Sequence, residues 1–318
     1  MMDLRQRYGP WVLLALATVL LASIPFLGDR YALFIAYFLV LNVAFAQSWN
    51  LVGGYTGLIS LGHAAFFGIG AYAAAICVIT FELPLWVGFI VGGLSSTVFA
   101  FLISFPTFRF KGIYFAIGTL VLAEALRIWM INWEYIGGAQ GMQFPIGIGP
   151  RLSGYFFIML GLAVITTGLL MYIMRSKLGV GLRAIRDNED GAANLGVDIF
   201  RTKLVAFMIS AFIAGLVGAV HGARLGAIEP YSIFGAAWTI GVVNIVIIGG
   251  MGTIFGPIVG AFFVTILAES LADFSGIHLI IEGVILILVI RYMPYGLWGY
   301  ALKLWRRLPL AKTRGADA

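Results

Sequence analysis

Charged residues are scarce in this chain of 318 residues: they make up 11% of it, whereas hydrophobic residues make up 61%. A soluble domain carries about 25% charged residues, so this composition excludes a chain whose whole surface faces water. The apolar residues form runs of roughly 18 to 22, the length that spans about 30 Å of hydrocarbon as a helix. The runs lack the alternation typical of barrel strands. We therefore predict an all-α polytopic membrane protein.

Cysteine and catalytic motifs are also scarce. Cys77 is the only cysteine, so no intrachain disulfide can form. The sequence has no G-x-x-x-x-G-K-[ST] phosphate loop, no H-E-x-x-H pair and no G-x-S-x-G nucleophile elbow. The three histidines, His63, His221 and His278, are too scattered to predict a metal site. We predict no catalytic residue and no cofactor in this chain, and transport is the class of function that remains.

Ten candidate spans can be drawn along the single transmembrane domain, 1–318. They lie near 11–27, 31–51, 63–80, 84–105, 113–132, 154–174, 204–226, 236–250, 257–272 and 277–291. With the N-terminus inside, 16 of the 20 basic residues fall in inner segments, and the positive-inside rule selects this orientation. We therefore predict cytoplasmic termini, a cytoplasmic loop near 175–203 and a loose basic tail near 300–318. The net charge of +6 is then a feature of the inner leaflet and does not indicate nucleic-acid binding.

Glycine and polar residues interrupt the apolar pattern in the segment 50–72. Irregular backbone survives in a membrane only where protein buries it or a water-filled cavity faces it. A broken helix that lines a translocation path and close helix packing through small residues both account for this composition.

Glu124 and Arg127 lie within the fifth span, three residues apart, where they can neutralise each other. Charges inside a membrane are costly and mark functional candidates. The sequence allows two interpretations of this pair: a structural ion pair, or a polar patch on the substrate route. With the polar and glycine residues of other spans, they form the candidate translocation path: Asn42, Gln47, Asn50, Gly53, Gly57, Ser60, His63, Glu124, Arg127 and Asn244.

Two ladders of glycines recur every four residues. This spacing keeps small residues on one helix face and predicts close helix packing. The glycines are Gly218, Gly222, Gly226, Gly252, Gly256 and Gly260.

The inner loop has apolar residues at helical spacing with charges between them, which predicts one or two short amphipathic helices. A helix lying on the inner leaflet is one alternative. The acidic residues of the loop would be repelled by anionic lipid, which favours docking of a cytoplasmic protein. The residues of this predicted docking element are Leu182, Arg183, Ile185, Arg186, Asp187, Asn188, Glu189, Asp190, Gly191, Ala192, Leu195 and Gly196.

Five stretches of the sequence resemble the LivM-type permeases, which are subunits of bacterial branched-chain amino acid ABC importers. The stretches are 50–72, 111–127, 137–141, 182–189 and 249–257, and they follow one another along nearly the whole chain. The resemblance implies a type II importer-like fold with inverted halves, in the bacterial inner membrane.

The resemblance also implies partners: a LivH-like second permease, two cytoplasmic ATPases that bind ATP and magnesium, and a periplasmic binding protein for leucine, isoleucine or valine. The predicted docking element then corresponds to the coupling region that contacts an ATPase. The Glu-Ala-Ala…Gly pattern of importers survives only in part, from Asp190 to Gly196.

Permeases for urea and short amides share this architecture, so the resemblance leaves the substrate open among related amino acids and amides. Two other classes compete with it. A self-sufficient secondary transporter would need no ATPase, and a membrane-embedded enzyme would use Glu124 or His63.

Overall fold

The computed structural model describes residues 4–145, 147–271, 277–293 and 295–307. Within these ranges it contains fourteen α-helices and one two-stranded sheet. The helices are α1 (Leu4–Ala22), α2 (Arg30–Thr56), α3 (His63–Ile79), α4 (Leu85–Thr107), α5 (Ile113–Ile131), α6 (Leu152–Arg175), α7 (Lys177–Asp187), α8 (Glu189–Asn194), α9 (Ile199–Leu225), α10 (Pro230–Ile233), α11 (Ala236–Gly249), α12 (Gly256–Ser270), α13 (Ile277–Tyr292) and α14 (Gly296–Arg307). The strands are β1 (Met142–Gln143) and β2 (Ala227–Ile228).

Each of the ten predicted spans coincides with a helix, and the chain is a polytopic α-helical membrane protein. Among the described residues, seven helical segments are long and apolar enough to cross a membrane. Helices α3 and α12, with 17 and 15 residues, are shorter, and α13 and α14 form a pair bent by 45°. The number of ten crossings and the side of the termini therefore stay predictions.

Helices α2 and α9 form the centre of the bundle, and each has 27 residues. At 1.5 Å per residue they are about 40 Å long and extend beyond the hydrocarbon layer. Aspartate caps both N-termini: Asp29 accepts from the Tyr31 amide and Asp198 accepts from the Arg201 amide. Glycine in the left-handed region ends both, with φ of 76° at Gly57 and 78° at Gly226.

The packing of α2 and α9 is exchanged, because each of them packs on helices that follow the other in the chain. Helix α9 packs on α3 and α4, which follow α2, whereas α2 packs on α11 and α12, which follow α9. Each of these two long helices thus packs on helices that follow the other one, and α2 also packs on α6 and α9.

Close backbone approach through glycine holds α9 to α3. A Cβ at Gly218 would overlap the Phe67 carbonyl, and a Cβ at Gly222 would lie 3.0 Å from the Ala71 Cβ. Two of the other predicted ladder positions, Gly226 and Gly252, do not lie between packed helices. Gly226 ends α9 with nothing within 4 Å of a Cβ, and Gly252 lies in the loop before α12. Gly256 and Gly260 of α12 do form the predicted close contacts, because a Cβ would overlap the Gly250 carbonyl at Gly256 and the Ile245 carbonyl of α11 at Gly260.

The loop contacts sort the bundle into two ends. At one end, which we call the basic end, α7 meets the C-terminus of α2, and Trp298 of α14 packs on Phe255 with ring centroids 5.3 Å apart. At the other, the strand end, β1 pairs antiparallel with β2, and Tyr31 hydrogen-bonds to Glu269. The predicted cytoplasmic loop therefore shares one end with the α11–α12 loop.

The segment after Gly299 was expected to be a loose tail, and this expectation is wrong up to residue 307. Helix α14 continues from Gly296 to Arg307 and packs on α11, α12 and α13. The glycine contact between Gly296 and the backbone of Gly250 allows this close packing. Residues 308–318 of the predicted tail lie outside the described residues.

Candidate coupling site and translocation path

The predicted docking element consists of two short helices, α7 and α8. They meet at Asn188, where the backbone is extended (φ −161°, ψ 109°). The Asn188 side chain accepts a hydrogen bond from the Gly191 amide (2.8 Å). This bond satisfies one of the amides that the first turn of a helix leaves unpaired, and it fixes the start of α8.

The apolar side of α7 is fixed on the transmembrane helices. Leu182 is fully buried in a cluster with Leu51 and Tyr55 of α2 and Met174 of α6. Gly179 lies against the backbone of residues 173–174, where a Cβ would overlap it. These contacts pack α7 closely on α2 and α6.

An ion pair fixes α8 to α9. The Lys203 Nζ lies 2.8 Å from the Glu189 Oε2, with the Lys203 side chain 7% exposed and that of Glu189 35% exposed. An exposed pair contributes about 0–1 kcal/mol, whereas breaking a fully buried one costs about 3–5 kcal/mol. This pair lies between those limits, because only its cation is buried.

Arg186 joins α7 to the end of α2. Its Nη1 donates to the Gly54 carbonyl (2.8 Å). The last four carbonyls of a helix have no partner within it, and the C-terminus carries partial negative charge. A guanidinium therefore both satisfies this carbonyl and stabilises the helix end.

Asn50 extends the same network to the loop between α11 and α12. Its Oδ1 accepts from the Gly252 amide (2.9 Å), and its Nδ2 donates to the Thr253 carbonyl (2.8 Å). A Cβ at Gly54 would overlap the Asn50 side chain. We call Arg186, Gly54, Asn50, Gly252 and Thr253 the Arg186 junction. It connects α7, α2 and the 250–255 loop at one point.

The exposed side of α7 and α8 carries charges of both signs, and Val180 of α7 and Leu195 after α8 are exposed apolar side chains. Asp187 and Asp190 are exposed, and Leu195 is 83% exposed. Leu195 lies three residues after Ala192, at helical spacing, but Ala192 is buried and Leu195 is exposed. Gly196, with φ of 84° and no atom near a Cβ, turns the chain beside it. This face is available to a partner.

The polar residues of α2 contact the second half of the chain. Asn42 donates to the Thr265 hydroxyl (3.0 Å), and Gln47 donates to the Ile254 carbonyl (2.7 Å). Gly53 lies on the Trp49 ring, whose Nε1 donates to the Ser60 carbonyl (2.7 Å). These predicted path residues form hydrogen bonds and packing contacts between helices of this chain.

His63 lies in the core where the chain breaks between α2 and α3. Its Nε2 lies 3.1 Å from the Ser48 hydroxyl and 3.3 Å from the Ser210 hydroxyl. The rings of Phe45 and Phe66 pack against the imidazole. Among the described residues no group of three ligating side chains could hold a metal ion.

Glu124 and Arg127 form an ion pair on α5, with a second bond of 3.0 Å between Arg127 Nε and Glu124 Oε2. The Glu124 side chain is 46% exposed and that of Arg127 is 23% exposed. Arg127 also lies over the Tyr231 ring (5.4 Å) at the strand end. The pair is therefore apart from Asn50, and Asn244 is half-buried on α11.

Sequence reasoning missed the surroundings of Arg224. Its guanidinium lies over the rings of Tyr37 (4.5 Å), Phe34 (5.3 Å) and Phe38 (5.3 Å), and His221 stacks with Tyr37. Aromatic residues three and four apart occupy one face of α2, and this spacing is the signal that could have indicated the site.

Comparison with known proteins adds three relationships. A family model described as branched-chain amino acid transport system, permease component, matches residues 31–290. The LivM permease of the high-affinity branched-chain amino acid transport system of Escherichia coli K12 is 30% identical over 309 residues, covering 88% of this chain and 72% of that protein. Its Salmonella typhimurium counterpart is 30% identical over 315 residues, covering 90% and 74%.

A more distant relative is the autoinducer 2 import permease LsrC of Photorhabdus laumondii. It is 26% identical over 224 residues, covering 67% of this chain and 62% of LsrC. No solved structure matches the chain.

Proposed function

Because this chain belongs to the family of branched-chain amino acid transport permeases, we propose that it is the permease subunit of an ABC importer for leucine, isoleucine, valine or related amino acids. The substrate follows from the two LivM relatives at 30% identity. The chain resides in the bacterial inner membrane with the basic end in the cytoplasm, because the positive-inside rule favours that side for its loops.

The partners are a second, LivH-like permease, two cytoplasmic ATPases and a periplasmic binding protein. The fold is a type II importer-like arrangement of inverted halves, supported by the exchanged packing of α2 and α9. ATP and magnesium bind the ATPases, so this chain needs no cofactor and no catalytic residue of its own.

The single observation that carries the coupling role is the two-sided character of α7 and α8. One side is fixed to α2, α6 and α9, and the other presents Asp187, Asp190 and Leu195 to solvent. An ATPase bound to the outward face can move this element as one unit. Switching between two states requires that such a distant site be mechanically joined to the helices that move.

The Arg186 junction is the point at which this motion reaches the transmembrane helices. Movement of α7 shifts the C-terminus of α2 through Gly54, and Asn50 passes the shift to the 250–255 loop. Movement of α7 then shifts helices in both halves of the chain. The polar path residues of α2 reach α12 and the same loop, so their hydrogen bonds change with the state.

Purification of the tagged chain from its native membrane tests the proposal. Two ATPases and a second permease should co-purify, and leucine-loaded binding protein should stimulate ATP hydrolysis by the complex. A chain that purifies alone and moves substrate with a proton or sodium gradient would be a secondary transporter. Turnover of a membrane substrate by the isolated chain would instead support an enzyme.

The substrate is tested separately on the cognate binding protein. Leucine, isoleucine and valine should bind more tightly than urea, short amides or autoinducer 2. Preference for one of the latter would keep the importer proposal and replace its substrate.

A further inference from the structure

A cavity of about 950 Å³ opens at the basic end between α11, α13 and α14. It is at the upper end of the roughly 300–1,000 Å³ range of ligand pockets. Arg186 and Thr253 of the Arg186 junction line one side of it, and from there the cavity extends along α13 and α14. The coupling role does not use this space.

The deeper walls of the cavity are apolar. Ile247 of α11 and Val289 and Ile290 of α13 line it, and they lie inside the helices, before the residues at which these helices end. They lie in the last turn of α11 and of α13, further into the bundle than the loops at the basic end. Ile290 is 54% exposed, so the cavity is open to whatever surrounds α13.

The rim of the cavity, further toward the basic end, is cationic and aromatic. Arg186 and Lys303 line it together with Tyr295 and Trp298, and no described lining residue is acidic. Among the described residues neither cation forms an ion pair. Trp and Tyr are enriched where membrane meets water, and Lys or Arg clusters there bind anionic headgroups.

We propose that this cavity binds one anionic membrane phospholipid. An acyl chain occupies the space beside Ile247, Val289 and Ile290, and the phosphate lies between Arg186 and Lys303. Helix α14, which is bent by 45° from α13, brings Lys303 to the headgroup end of the cavity. The order of apolar wall, aromatic rim and cation matches the order of chain, interface and headgroup in a phospholipid.

Native mass spectrometry of the purified complex tests this proposal with phosphatidylglycerol and phosphatidylcholine as probes. The wild-type complex should retain one phosphatidylglycerol in preference to phosphatidylcholine. One basic residue contributes about 1 kcal/mol to the binding of anionic lipid, so Lys303→Gln should weaken retention of phosphatidylglycerol about fivefold. Lys111→Gln removes an exposed cation that does not line the cavity and should change nothing.

A second pair of variants tests the apolar wall without changing charge. Ile290→Trp fills the cavity from an exposed position and should abolish retention of both lipids. Ile287→Trp enlarges an exposed residue one turn away that does not line the cavity, and it should retain them. Both replace exposed side chains on α13, so the fold is expected to persist.

Equal retention of the two lipids by wild type, or unchanged retention in Lys303→Gln and Ile290→Trp, would overturn the proposal. The same holds if a cysteine introduced at Leu302 cross-links to a partner subunit, because protein would then occupy the site. Cys77 is buried, which leaves the introduced cysteine as the reactive one.

Discussion

Replacement of Arg186 by methionine removes the hydrogen bond from α7 to the Gly54 carbonyl and keeps an unbranched apolar stem in its place. Gly54 is buried, so its carbonyl loses its partner without access to bulk water. The apolar packing of Leu182 on α2 and α6 is unaffected. The change therefore acts on transmission of motion and leaves the attachment of α7 intact.

The size of the effect follows from the geometry. A hydrogen bond from a charged donor contributes about 1.5–3 kcal/mol. The donor distance of 2.8 Å is good, but Arg186 is exposed on its other side, which places the loss near the lower value. A loss of about 1.4 kcal/mol is a tenfold change in the equilibrium between the two states of the permease. We expect uptake per ATP hydrolysed to fall about tenfold.

The assay measures ATP hydrolysis and substrate uptake in the same reconstituted complex. Hydrolysis should continue in Arg186→Met while uptake falls, and subunit assembly should be normal. Arg201→Met is the matched control, because the Arg201 side chain is 85% exposed and pairs with the exposed Asp198. That variant should keep the wild-type ratio of substrate uptake to ATP hydrolysis.

An unchanged ratio of uptake to hydrolysis in Arg186→Met would refute the reasoning about the junction. So would an equal loss in Arg201→Met, since removal of any cation at this end would then have the same effect. Asn50→Leu adds a second check, because it breaks the link to the 250–255 loop and should not reduce uptake further in the Arg186→Met background.

Three more predictions concern other contacts. Glu189→Ala leaves Lys203 buried without its partner, so uptake per ATP should drop severalfold and the melting temperature of the complex should fall; an unaltered melting curve would contradict the ion pair. Leu195→Asp should weaken co-purification of the ATPases without affecting membrane insertion, and equal recovery would remove this side chain from the interface. In Gly218→Val the new side chain would overlap the Phe67 carbonyl, so the fold should lose about 1–3 kcal/mol of stability or more and the yield of folded protein should fall. Gly161→Val, where a Cβ has nothing within 4 Å, should be tolerated.

The positions of the helices could be predicted because long apolar runs leave few alternatives in a membrane. The apolar spacing of the inner loop predicted one or two short amphipathic helices, and the structure has two, which meet at Asn188. Helix α14 was missed because its basic residues favoured a solvated tail. Its close packing depends on Gly296 meeting Gly250, a contact that composition does not indicate.

The candidate site was harder to predict than the fold. Asn50 was chosen as a polar residue in a span, but its partners are more than 200 residues away, at Gly252 and Thr253. No local pattern specifies such a pairing. Glu124 and Arg127, by contrast, are three residues apart, and helical geometry alone predicts their contact.

Uptake of labelled leucine into proteoliposomes tests the central claim most directly. The vesicles contain this chain, its partner permease and both ATPases, with leucine-loaded binding protein on the side away from the ATPases. Accumulation that requires ATP on the ATPase side, and that persists when ion gradients are collapsed, is the predicted result. Accumulation that follows a proton or sodium gradient and ignores ATP would contradict the account.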